Sequence, residues 1–316
     1  MRLVIHSTAP KTVTADASVR WRGDARSLDL DAMPRGGRRR RWVYAAAGDA
    51  RGSAGVLCFD AGLFGLGTSF AFATFDGHVH SWDASPGRAG AVGGLTGVGA
   101  AHRRRAEVQV DGGSFTIDVP VDGGRLRAAV TASRTDPVTL VTPTPNGGWN
   151  VTTKSAGHAA HGTIASPSGV HELDGHGWTD FTDGRQDRVT SWRWVAGGGR
   201  SVDSKHRVGV QASIGMNGSG AGEDIVWWDG VAHPLNVEVM RPATVDEFDG
   251  PWQLAGPGWQ LRLCPDGARA ANERVGPIMS RYHQPIGSWT GTLPGPDGAP
   301  VEVVLQGVAE EHEARW

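Results

Sequence analysis

Trp42-Val43 begins a passage that runs through a Gly-rich break and an apolar segment, Val56 to Phe59, to Phe75-Asp76-Gly77-His78-Val79-His80. The chain then repeats the pattern: Trp194-Val195, a second Gly-rich break, an apolar segment at Val208 to Val210, and Trp228-Asp229-Gly230-Val231-Ala232-His233. Both correspondences fall about 150 residues apart, the mark of an internal duplication. Each copy is long enough to enclose its own core. A boundary near Ser166-Pro167-Ser168-Gly169 would divide the chain into an N-terminal unit, residues 1–165, and a C-terminal unit, residues 166–316.

The rest of the chain says what those units are made of. Few windows place Ala, Leu, Glu and Lys at helical spacing without an intervening Gly or Pro, so helices are not expected. Period-two alternation or β-branched content marks strands at Ala106 to Val110, Ser114 to Val119, Ala128 to Ser133, Val138 to Thr142 and Thr190 to Val195. Further strands are expected at Arg207 to Ile214, Trp259 to Leu263, Gly287 to Leu293 and Val301 to Gly307. Between them lie Asp76-Gly77, Asp111-Gly112-Gly113, Asp122-Gly123-Gly124, Asn146-Gly147-Gly148, Asp183-Gly184, Asp229-Gly230, Asp266-Gly267 and Asp297-Gly298. Such pairs tolerate the positive φ of tight hairpin turns. Gly is 47 of 316 residues, about 15% and twice ordinary usage, as a turn-dense meander requires. An all-β chain of antiparallel meanders is expected, closed into barrels to remove strand edges.

Composition excludes several functions. The 31 basic and 33 acidic side chains leave a net charge of −2, which argues against nucleic acid as a partner. Arg38, Arg39, Arg40 and Arg41 form an isolated basic run, expected at a solvated edge or turn. No run of about 18 apolar residues is present, so membrane insertion is not expected, and Met1 to Thr14 lacks the apolar core of a signal peptide. Two cysteines, Cys58 and Cys264, suit neither a disulfide framework nor a zinc site. A cytoplasmic location is therefore expected. No Gly-x-Ser-x-Gly elbow, phosphate loop or dinucleotide fingerprint is found, so no cofactor is expected.

Thirteen tryptophans stand out, and eight lie between Trp178 and Trp289. Trp192 and Trp194 share one face of a strand; Trp227 and Trp228 point to opposite faces. Together with Trp178, Trp228 and Trp289 they can either plug a barrel interior or wall a pocket for an apolar ligand. Asp180 stands beside this run. A carboxyl among indoles has its charged form disfavoured, which suits a general acid. Glu223 and Glu310 are further carboxylates of this kind, and Asp183-Gly184 is read as a turn. Lys154 and Arg185 are candidate clamps on a substrate oxygen, and His283 is a candidate proton shuttle. His158, His161, His171 and His176 cluster in sequence, but a spacing of three on a strand sends side chains to opposite faces, so no metal site is expected.

Arg41-Trp42, Asp60-Ala61-Gly62-Leu63-Phe64-Gly65, Thr153-Lys154 with Gly162, and Asp180 through Thr190-Ser191-Trp192-Arg193-Trp194 resemble, in order, the bacterial family catalogued as domain of unknown function 2804. So do Glu223 followed by Asp229-Gly230, Pro251-Trp252, His283-Gln284 with Gly287 and Gly291, and Gly307 with Glu310 and Trp316. That family is remotely similar to tandem lipocalin-like proteins, among them carotenoid 1,2-hydratases and double-barrel Diels-Alderases. The resemblance implies two lipocalin-like β-barrels, in accord with the repeat. It also implies cofactor-free hydration, cyclisation or isomerisation of an apolar natural-product substrate, such as a polyketide, polyene or terpenoid. Two departures stand out: Gln211-Ala212 replaces the family's Asn-Leu, and Glu223-Asp224 replaces Glu-Asn. A lipocalin-like carrier that binds a hydrophobic small molecule without chemistry is the alternative from another class.

Overall fold

The computed structural model describes residues 5–7, 19–26, 28–29, 33, 36–63, 66–75, 77–84, 87–88, 91–93, 97–103, 105–133, 135–215, 222–244, 247–276 and 278–315. The first sheet is built from β1 (Val19–Arg22), β2 (Arg38–Asp49), β3 (Gly52–Leu63), β4 (Leu66–Phe75), β5 (His78–Asp83), β6 (Gly87–Arg88) and β7 (Ala91–Gly93). It continues through β8 (Val98–Arg103), β9 (Ala106–Asp111), β10 (Ser114–Val121), β11 (Gly124–Ala132), β12 (Val138–Pro143), β13 (Trp149–Ser166) and β14 (Gly169–Gln186). The second comprises β15 (Val189–Ser201), β16 (Arg207–Ile214), β17 (Ile225–Trp228), β18 (Val231–Pro234), β19 (Val239–Pro242), β20 (Trp252–Gly256), β21 (Trp259–Val275), β22 (Ile278–Pro294) and β23 (Pro300–Arg315). The chain is all-β and antiparallel throughout its named strands, and every strand expected from the sequence forms.

The duplication is visible in the strand order. The first sheet runs β5-β4-β3-β2-β14-β13-β11-β10-β9-β8-β7 and the second β18-β17-β16-β15-β23-β22-β21-β20-β19, so in each the first long strand pairs with the last. Each sheet curls around its own core in the lipocalin-like manner: Val43, Val56, Val108, Ile117, Leu126 and Ile164 meet in one, and Val210, Trp228, Trp252, Leu261, Trp289 and Leu305 in the other. The turn at Ser166–Gly169, where the sequence suggested a boundary, is a hairpin inside the first sheet, and the chain passes between sheets at Asp187-Arg188.

Burial patterns separate two kinds of strand. In β9, β10 and β11 buried and exposed residues alternate, because one face meets the core and the other meets water. In β2 and β17 consecutive residues are buried, because the outer face is covered by the opposite sheet. Along β2, Val43, Ala45 and Ala47 enter the first core, while Tyr44 and Ala46 join Trp178, Trp194, Trp227 and Ile286 in a third cluster between the sheets. Close approach there depends on missing side chains. Gly157, at φ +75°, forms the bulge between Ala156 and His158, and a Cβ on Gly209 would lie 2.3 Å from the Ala156 carbonyl carbon.

Three local expectations are corrected. Asp183-Gly184 is not a turn but lies inside β14, where the buried Asp183 carboxylate accepts from Arg39 Nε at 2.8 Å and Nη2 at 2.7 Å. Asp266-Gly267 lies at a bulge within β21 rather than at a hairpin tip. The Arg38 to Arg41 run is the start of β2, paired along its length with β14 and, at Arg41, also with β3. Arg40 is buried and donates to the carbonyls of Gln186 and Asp187, and Arg41 pairs with Asp60. The Asp229-Gly230 turn forms as expected, with φ of 51° and 88°. Asp76, Phe64, Gly65 and Trp316 lie outside the described residues.

Candidate active site

The seam between the sheets holds a group of buried polar side chains around indoles. Lys154, on β13, and Asp180, opposite it on β14, are cross-strand partners, which places their side chains on one face. Lys154 Nζ donates to Asp180 Oδ1 at 2.9 Å and lies 3.3 Å from Oε2 of Glu223, which the segment before β17 brings from the second half. All three are nearly inaccessible to solvent, with side-chain exposures of 4%, 10% and 8%. The Lys154 ammonium also sits 5.7 Å from the Trp194 ring centroid. Trp42 Nε1 donates to the second oxygen of Asp180 at 3.1 Å.

One ammonium against two carboxylates leaves negative charge uncompensated in a site that disfavours charge. Burial works to lower the pKa of Lys154, but Asp180 and Glu223 outweigh it and hold the ammonium protonated above its usual range. Burial raises the Glu223 pKa; Lys154 opposes the shift and Asp180 reinforces it. Asp224 beside it is pushed up to about 7, chiefly by burial, against the Ser213 N–H, which donates to its Oδ1 at 3.4 Å. A buried carboxyl whose pKa is raised is suited to give a proton to a substrate atom and take it back.

Gln211 fastens the two sheets at this point. Its amide donates to the carbonyls of Ser155 at 2.9 Å and Thr179 at 2.7 Å in the first sheet, and its oxygen accepts from Trp194 Nε1 at 3.3 Å.

Strand pairing reveals a second, equivalent half-site. Asp180 pairs with Tyr44 across β14 and β2, and Glu310 pairs with Trp194 across β23 and β15. By the same register, Lys154 corresponds to Gln284 and Trp42 to Trp192. The contacts repeat: Trp192 Nε1 donates to Glu310 Oε1 at 3.0 Å, and Gln284 Nε2 to Glu310 Oε2 at 2.8 Å. Trp42 and Trp192 stack across the seam, centroids 6.0 Å apart and planes 4° from parallel. The half-sites therefore differ in one decisive respect, a lysine in the first and a glutamine in the second.

The structure brings Lys154, Asp180, Glu223, Trp192 and Trp194 together, and seats Trp178 fully buried in the same seam. Glu310 joins the seam through Trp192, but Trp228, Trp289, His283 and Arg185 do not. Trp228 and Trp289 belong to the second core, Trp228 Nε1 donating to the Pro294 carbonyl at 3.1 Å. His283 lies on β22 between Tyr282 and Gln284, whose side chains face the seam, so its own points to the opposite face, where it meets Asp249 at 3.1 Å. Arg185 donates to the Gly37 carbonyl at 3.2 Å, near the end of β14. Trp42, Gln211 and Gln284 were not singled out from the sequence as site residues. Among the described residues no group of three or more His, Cys, Asp or Glu is arranged to hold a metal, and no helix is long and apolar enough to cross a membrane.

Residues 21–316 match the family described as "Domain of unknown function (DUF2804)". No curated protein matches the sequence. Among solved structures, CghA with Sch210972 aligns over 94% of this chain and 98% of its own, with a TM-score of 0.50 and 14% identity. A protein described as AttH from Nitrosomonas europaea aligns over 91% and 97%, with a TM-score of 0.48 and 14% identity. Kievitone hydratase from Nectria haematococca aligns over 92% and 94%, with a TM-score of 0.46 and 9% identity. The CghA likeness extends over both sheets and supports the double lipocalin-like fold.

Proposed function

We propose a function from the premise that this chain belongs to the DUF2804 family: it is a cofactor-independent cyclase, isomerase or hydratase acting on a hydrophobic natural-product intermediate held between the two sheets. The observation that carries this reading is Lys154, bracketed by the buried carboxylates of Asp180 and Glu223 from opposite halves of the chain. Glu223 is the proton donor and acceptor. Lys154 steadies the oxygen or π-system on which negative charge develops. Asp180 positions Lys154 and Trp42, and Trp42, Trp192 and Trp194 supply flat apolar walls that can also face transient positive charge. A relative of this fold is solved with a small molecule, Sch210972, in keeping with a ligand-binding role.

The experiment is a comparative metabolite profile of the source strain with the gene intact and deleted. An isomerase or cyclase leaves a precursor of the same mass as the lost product, and a hydratase leaves one that differs by a water. If the same molecules persist and only their amounts or location change, the enzyme reading fails and the chain is a carrier.

A further inference from the structure

Beside the Glu310 half-site lies a second set of polar atoms that the proposed proton chemistry does not use. Arg269, on β21 of the second sheet, reaches across the seam to Asp83 on β5, which accepts from its Nη2. Its guanidinium carbon lies 3.7 Å from the Phe70 ring centroid and 4.7 Å from that of Tyr282. Phe70 and Tyr282 are themselves stacked at 6.1 Å, and Tyr44 meets Phe70 edge-on at 6.2 Å. Arg269 Nε and Nη1, the Tyr282 hydroxyl and Gln284 Oε1 are buried without a hydrogen-bond partner among the described residues. A buried guanidinium with two idle donor nitrogens is costly unless something accepts from them.

We propose that Arg269 and Tyr282 form a carbonyl-binding subsite, which receives an oxygen of an apolar ketone, lactone or quinone-like ligand lying along the Trp42–Trp192 stack. The idle groups on Arg269 and Tyr282 are donors, which calls for an acceptor. Asp83 and Glu310 already balance the guanidinium, so a neutral carbonyl suits the site better than a second carboxylate. Burial lowers the Arg269 pKa to about 9, so it remains a cation at neutral pH. The flanking surfaces, Phe70, Tyr44 and Tyr282, are aromatic, as in ligand sites where few polar groups orient an apolar body. Gln284 Oε1 offers the complementary acceptor for a neighbouring hydroxyl or enol.

This inference rests on the seam being the ligand site and narrows the ligand to a carbonyl compound. The test uses Prodan, an apolar aryl ketone whose emission and C=O stretch respond to hydrogen bonding, beside its analogue with the propionyl group replaced by propyl. The wild-type protein is expected to bind the ketone about tenfold more tightly than the alkyl analogue, with the C=O stretch lowered. Arg269→Met and, independently, Tyr282→Phe should weaken ketone binding toward that of the alkyl analogue while leaving the latter unchanged; the milder Tyr282→Phe keeps the test open if Arg269→Met does not fold. Equal affinity for the two probes, or an unaltered stretch in both variants, overturns the subsite while leaving the proton chemistry standing. If Lys154→Met alone abolishes the shift, the carbonyl binds at the first half-site and the subsite is again wrong. If neither probe binds, the seam is not a ligand site, and both readings fail.

Discussion

Lys154 is the residue on which the first half-site depends. Its removal strands two carboxylates in a dry seam, so Lys154→Met should cost about 3–5 kcal/mol in chemical denaturation. Combining it with Asp180→Asn and Glu223→Gln should restore most of that loss, because the three residues act as one unit and their effects are not additive. A triple variant no more stable than the single one would contradict the cluster. Asp224 behaves differently, since burial outweighs the opposing hydrogen bonds and the Arg20 charge and raises its pKa. Its folded pKa of about 7 lies above the usual carboxylate value near 4. The folded state thus binds more protons than the unfolded between those limits, and Asp224 subtracts stability as pH rises through them. Asp224→Asn should therefore match the wild type near pH 4 and exceed it by at least about 1 kcal/mol at pH 8. Thermal unfolding across that range checks the sign; a variant less stable at pH 8 than at pH 4, relative to wild type, would refute it.

Among the elements, the seam strands are the ones whose sequence is most constrained. Gly209 of β16 rides on the Ala156-Gly157 backbone of β13, and a side chain there must push the sheets apart. Gly209→Ala should cost about 2–3 kcal/mol, whereas substitution at Gly112, whose hairpin faces open space, should disturb only the turn. Strand type and most hairpins were legible in the sequence, because β9, β10 and β11 alternate and their Asp-Gly tips lie between two readable strands. Asp183-Gly184 and Asp266-Gly267 misled because β14 and β21 run for 18 and 17 residues, straight through a turn dipeptide whose polar groups find partners or a bulge. The Arg38 to Arg41 run misled for a related reason, as its partners sit on β3 and around Asp183 to Asp187, far away in sequence. Asp180, Glu223 and the Trp192-Trp194 pair were legible as ionisable groups near indoles, and Lys154 as a candidate clamp within the stretch that resembles the family. Trp42 and Gln284 as site residues were not, because their significance lies in the pairing register: the repeat matched Trp42 with Trp194, and the strands match it with Trp192.

At the scale of the molecule, the duplicated halves are joined by polar fasteners as well as apolar packing. Gln211, Arg269, the Trp42–Trp192 stack, and Trp227 Nε1 on the Asp136 carbonyl at 2.9 Å all cross from one sheet to the other. The two sheets should consequently unfold in one cooperative transition, with calorimetric and van't Hoff enthalpies equal; two resolved transitions would show that the seam couples them weakly. A site built from both halves has a functional corollary, since separation of the sheets would take Glu223 away from Lys154. The measurement that bears most directly on the central claim is turnover, by purified protein, of the precursor that accumulates in the deletion strain, wild type against Glu223→Gln. The account predicts conversion by the wild type and a loss of about 100-fold or more in the variant with its fold intact by circular dichroism. Full turnover by Glu223→Gln, or recovery of the precursor unchanged from the wild type, would contradict it.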